Sequence, residues 1–355
     1  MKRRVYQQDI EAFGLVGAFF AAVVFTAFLP ALSLYTNLLT TDVAELGVLC
    51  GLVSAAVALT AFVVGYSDSA QKIVIEGRQL ARLRRGVLVG VFSVVYASIA
   101  FMLFAALGSL VGHYIGDIFF DRVSIVVIGV AAAATTYYVV YMAAASLTAY
   151  RLARSLVVFI VSGVLASMIT AGDNGWWSVH FSALGSGGTS SAYAFNLTMI
   201  LSGVFIVGLA DYLTQDLKYI TSGRVIERPY RFSVIRGLLV MIGGAMIGVG
   251  LVPFDVSYQV HQIFGYGSSV GFLALASVTP FLLPSVTRIF TIFSFLAPAL
   301  AVFSYYMWQF EGRISFTMFE LISAVLFIVW LVVFVRQIQA AKADHIAATE
   351  QRATV

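Results

Sequence analysis

"VSIVVIGVAAAATTYYVVYMAAASLTA", residues 123–149, runs from end to end without one charged side chain. Such a stretch belongs in hydrocarbon. A bilayer core of about 30 Å is crossed by roughly 20 apolar residues in a helix, which pairs its backbone polar groups within its own segment. Nine further stretches of this kind lie on either side of it: 13–34, 44–66, 87–111, 155–171, 195–214, 237–253, 267–287, 289–309 and 316–335. The expected fold is therefore all-α, a polytopic transmembrane bundle of about ten helices. Composition agrees, with 61% hydrophobic and 11% charged residues against about 25% charged in soluble domains.

The basic residues give an orientation. With the N-terminus inside, all of the 21 Lys and Arg residues except Arg122 and Arg313 fall on one side. Positive loops stay in the cytoplasm, so the chain is expected in the cell membrane with both termini cytoplasmic. The net charge of +4 follows from this arrangement and gives no argument for nucleic acid. The apolar run after Met1–Arg4 is too long for a signal-peptide core and ends without a small-residue cleavage site, which reads as an uncleaved first helix. Cys50 stands alone in an apolar stretch, as a small buried hydrophobe. The basic loops 68–86 and 216–236 read as topology-setting charge, and 336–355 as a polar cytoplasmic tail whose helix frays.

Polar residues crowd into two of the outward loops. Between the fifth and sixth segments come Asp173, Asn174, Trp176, Trp177, His180 and Ser182, with Asn196 at the expected start of helix six. Between the seventh and eighth come Asp255, Tyr258, Gln259, His261 and Gln262. Asn196 is placed to cap helix six by accepting from its first-turn amides, a helix end that also suits an anionic head group. Glu320, in the outer part of helix ten, is the intramembrane charge most in need of a partner, with Arg313 and Arg122 as candidates. Asp211 is the second such charge.

The motifs "HFSALG" (180–185), "FNLTMILSG" (195–203), "VPFD" (252–255) and "VHQIFGYG" (260–267) resemble those of the DUF998 group of bacterial and archaeal membrane proteins, itself similar to the Frag1/DRAM/Sfk1 proteins. The resemblance covers residues 155–335 and implies a six-helix module preceded by a four-helix extension, 1–154. It also implies work on lipids, without naming a reaction.

Three uses of the outward cluster follow from its chemistry. The first is an outward polar pocket that binds membrane lipids through Asp173, Trp177, Asn196, Tyr258, Gln262 and Glu320. The second is a hydrolase of lipid esters or amides. There His180, His261, Asp173 and Asp255 would ligate zinc, or Ser182 would be a nucleophile activated by His180 or His261 with Asp255 as orienter. No HExxH, CxxC or GxSxG spacing supports it. The third is a small-solute transporter or a subunit of a larger membrane complex. A subunit should expose a small-residue face such as "GGAMIGVG" (243–250) to other membrane subunits.

Overall fold

A computed structural model describes residues 2–35, 43–68, 78–115, 122–172, 175–220, 230–283 and 286–353. Over them the chain is all-α: α1 (Lys2–Tyr35), α2 (Val43–Asp68), α3 (Arg78–Ile115), α4 (Arg122–Ala145), α5 (Ala149–Ile169), α6 (Ser190–Ile220), α7 (Tyr230–Leu251), α8 (Tyr258–Leu282), α9 (Arg288–Gln309) and α10 (Phe316–Ala353). All ten are long and apolar enough to cross a membrane, and the protein is a multi-pass membrane bundle. The chain divides into two compact units, Met1–Leu147 and Thr148–Val355.

In the first unit α2 packs on α3 and α4, and α1 on α4. The α2–α3 crossing is a backbone approach: a Cβ on Gly47 would lie 2.6 Å from the Cα of Gly108. Small residues permit this close contact, the main source of helix affinity where lipid competes equally for apolar surface. Within the second unit α6 is central. It packs on α5 and α7, α7 on α8, and α10 against α9, α5 and α6. Trp330 of α10 is fully buried among Phe272, Phe290 and Phe334, and its indole donates to Ser294 Oγ at 3.0 Å, which satisfies the one polar atom of a large apolar side chain.

Several helix boundaries differ from the expected ones. The apolar run 123–149 breaks at residues 146–148, because Thr148 adopts extended backbone and accepts from the Arg151 amide at 3.2 Å, starting α5 at Ala149. Helix α8 begins at Tyr258, so most of the expected α7–α8 loop is helical. The 336–355 segment continues α10 through Ala353. It is held by Lys342, which pairs with Asp216 of α6 and sits 5.6 Å above the Tyr219 ring. His345 packs edge-on to the same ring rather than standing in solvent. Asp211, the second intramembrane acid, pairs with Arg236 of α7 at 3.0 Å. Because these pairs are partly exposed, Asp216→Asn is expected to lower stability by only about 1 kcal/mol, read as a small drop in thermal midpoint in detergent.

"GGAMIGVG" is not a free face. A Cβ on Gly243 would lie 2.5 Å from the carbonyl oxygen of Gly203 in α6, and one on Gly250 2.5 Å from that of Asn196, while Gly248 lies under the Phe264 ring. The small residues serve contacts inside the unit, and of the glycines only Gly244 has open space around it.

Candidate functional site

The polar cluster assembles where α5 leads into α6, α7 into α8 and α9 into α10. Two short 3-10 turns, Trp176–Ser178 and Phe181–Gly185, fill the α5–α6 connection. Phe181 and Leu184 anchor the second turn by burying against Phe195 and Met199 of α6. Gly187 and Gly188, with φ of 85° and 62°, then reverse the chain in a conformation open to glycine. Asp255 fixes this reversal, its carboxylate accepting from the Gly187 amide at 2.9 Å. The turn is further held by Ser191, which donates to the Leu184 carbonyl, and by Thr317 of α10, which donates to the Trp177 carbonyl at 2.8 Å.

Asn196 does not cap α6. The helix starts about two turns earlier, where Thr189 accepts from the Ala192 amide at 3.2 Å. Asn196 instead lies in the second turn and donates through Nδ2 to the Gly185 carbonyl at 2.8 Å, leaving its buried Oδ1 without a partner.

Glu320 is neither paired with Arg313 nor turned to solvent. Arg313 is exposed and lies 3.6 Å from Glu311, and the Arg122 side chain falls outside the described residues. The Glu320 carboxylate reaches the α5–α6 turn. Its Oε2 accepts from the Phe181 amide at 2.6 Å and its Oε1 from Ser182 Oγ at 3.2 Å. Ser182 Oγ also lies 3.0 Å from His180 Nδ1. A carboxylate only accepts, and a serine has one hydrogen to give. With Glu320 ionised, the Ser182 hydrogen points to Glu320, and His180 carries its proton on Nδ1 and donates to Ser182. In that order His180 turns no lone pair to Ser182.

His180 is buried, 4.0 Å from the Phe254 ring, and its Nε2 has no partner. Burial lowers its pKa below the ordinary 6.5, and the neighbouring His261 pushes it the same way. The unfolded chain therefore takes up a proton before the native one does. The stability carried by neutral His180 is complete above about pH 6.5 and is lost as the pH falls below that value. The stability advantage of the wild type over His180→Gln is expected to narrow between pH 7.5 and 5, measured by thermal unfolding. Glu320 and His261 remain in both proteins, so the difference isolates His180.

His261, in the first turn of α8, places Nδ1 2.8 Å from the Val252 carbonyl. A carbonyl only accepts, so Nδ1 carries a proton and the neutral ring presents Nε2 as an acceptor.

Among the described residues no three His, Cys, Asp or Glu side chains are placed to share a cation. Asp255 is engaged by Gly187, each His commits Nδ1 within the protein, and Asp173 lies outside the described residues. Trp177 and Tyr258 are 61% and 55% exposed and lie outside the lining of the cavity formed by the other polar residues.

Ser182, His261, Gln262 and Glu320 do come together, at one end of a cavity of about 350 Å³ between α5, α6, α7, α8 and α10. The rest of its wall is apolar, with Val164, Met199, Met246, Phe319 and Phe327 among its members. Along α10 it extends from Phe316 to Ile328, about 18 Å at 1.5 Å per residue. Tyr266, Ser268, Ser269 and Ser323 also border it and were not singled out in the sequence, although His261, Gln262, Gly265, Tyr266 and Ser269 follow the helical period that places them on one face of α8. No protein-family model, curated protein or solved structure matches the chain.

Proposed function

We propose that the second unit is a lipid-handling module that holds one chain of a membrane lipid in this cavity, with the head at the Ser182–His261–Gln262–Glu320 end. The observation that carries the reading is the cavity's polarity: a long, mostly apolar slot with its carboxylate and imidazole gathered toward the Phe316 end of α10. Its volume falls in the range of small-molecule sites, about 300–1,000 Å³. Its length along α10 is close to one leaflet of a core of about 30 Å. The DUF998-like motifs 180–185 and 252–255 flank the polar end, which supports the lipid-related work that the resemblance implies. Membrane lipids are accordingly the proposed partner, in the cell membrane with both termini cytoplasmic.

The test is lipid extraction and mass spectrometry of detergent-purified protein. Ala324 borders the cavity on α10, one turn from Glu320, and Ala324→Phe fills the slot while leaving Glu320, His261 and Gln262 in place. The wild type is expected to retain a lipid that Ala324→Phe loses by about tenfold, as a deficit of roughly 1.4 kcal/mol would produce. Equal retention by a well-folded Ala324→Phe would contradict the reading.

A further inference from the structure

The hydrogen atoms of the cavity's polar side chains are largely committed to the protein. His261 gives its Nδ1 proton to Val252. Ser268 and Ser269 both donate to the Gly265 carbonyl, at 2.8 and 3.2 Å, and Ser182 donates to Glu320. At the head end these groups turn lone pairs to an occupant, from His261 Nε2, the Ser182 oxygen and the ionised Glu320 carboxylate, while Ser268 and Ser269 lie about 10 Å farther along α8. Gln262, through its amide NH2, Tyr266, through its phenol, and Ser323, through its hydroxyl one turn along α10 from Glu320, bring the donors among the bordering side chains that have no acceptor of this kind fixed. No Lys or Arg borders the cavity.

From this pattern we infer that the cavity selects a lipid alcohol, an apolar chain ending in an uncharged hydroxyl-bearing head. The inference rests on the lipid-binding reading and adds the head-group class to it. A hydroxyl donates to His261 Nε2 and accepts from Gln262 or Tyr266, so it answers both kinds of group. A phosphate only accepts. It would face the serine and imidazole lone pairs and the Glu320 carboxylate with no cation to offset its desolvation. An ammonium only donates. It would suit Glu320 but would leave the Gln262 and Tyr266 hydrogens unanswered in a dry site, each at the cost of an unmade hydrogen bond.

The experiment uses the full chain in phosphatidylcholine nanodiscs, whose lipid carries no hydroxyl. Thermal unfolding is followed by tryptophan fluorescence against added monooleoylglycerol, oleoyl lysophosphatidate or oleylamine, three probes with the same chain. Monooleoylglycerol is expected to raise the midpoint saturably, with half-saturation at least about tenfold below that of the other two. His261→Phe and Gln262→Leu should each raise its half-saturation by about fivefold, the effect of one neutral hydrogen bond. Gln262 is half-buried, so its variant stands in if His261→Phe fails to fold. Lysophosphatidate or oleylamine matching monooleoylglycerol would overturn the head-group assignment and leave the lipid cavity standing. So would wild-type half-saturation in the folded variants. If no probe shifts the wild type while Ala324→Phe still loses retained lipid, the assignment alone falls. If Ala324→Phe also retains that lipid, the cavity reading falls with it.

Discussion

Glu320→Leu is expected to release the Phe181–Gly185 turn from α10 and to destabilise the second unit by about 3 kcal/mol. Glu320 is the acceptor for the buried Phe181 amide and for Ser182, at 2.6 and 3.2 Å. Hydrogen bonds to a charged group contribute about 1.5–3 kcal/mol each, and a buried donor left without a partner adds its own penalty. The damage propagates. Ser182 loses the acceptor that orients its hydrogen, and with it the reason for His180 to donate to Ser182. Glu320→Gln keeps one carbonyl oxygen for the Phe181 amide and an NH2 for Ser182 Oγ, so it should cost less than half as much. Thermal unfolding and limited proteolysis of the 175–189 connection measure both variants. If Glu320→Leu matched the wild type in both, the carboxylate would not be what holds the turn.

The second large effect is expected at Gly243→Leu, which should destabilise the unit by about 3 kcal/mol or more. The α6–α7 crossing brings backbone against backbone, with a Gly243 Cβ placed 2.5 Å from the Gly203 carbonyl oxygen and 2.8 Å from a Val207 methyl. A methyl could turn aside, but the carbonyl belongs to the centre of α6 and cannot move without parting the helices. Overpacking of this kind costs about 1–3 kcal/mol when side chains absorb it, and more when the backbone must. Gly244, one residue on, has nothing within 4 Å. Gly244→Leu is therefore expected to fold normally. Equal thermal midpoints for the two variants would show that the close crossing does not stabilise the unit.

The membrane architecture was legible because apolar run length is a coarse signal, and ten runs became ten helices. Helix ends were less legible, because polar residues that continue a helix beyond the apolar core look like loop. The 258–266 segment shows the consequence. Read as a connection, it offers His261, Gln262 and Tyr258 as equal neighbours. As the first turns of α8, it places His261, Gln262, Tyr266 and Ser269 on the cavity and leaves Tyr258 exposed. The same kind of error, about two turns here, turned Asn196 from a second-turn donor into a cap. Glu320 was identifiable by its cost in hydrocarbon, yet its partners were not, since the Phe181 amide and Ser182 stand about 140 residues away in sequence. Composition alone does not reveal that Asp255 serves the Gly187 amide and that Val252 and Ser182 engage the two histidine Nδ1 atoms.

The most direct measurement of the central claim is a cryo-electron microscopy map of the full chain in nanodiscs made from its native membrane lipids. The account predicts a continuous, chain-shaped density along α10 from Phe316 to Ile328, ending in a head group beside His261 and Gln262. A cavity closed by its own side chains, or filled by separate water peaks along the apolar wall, would contradict it.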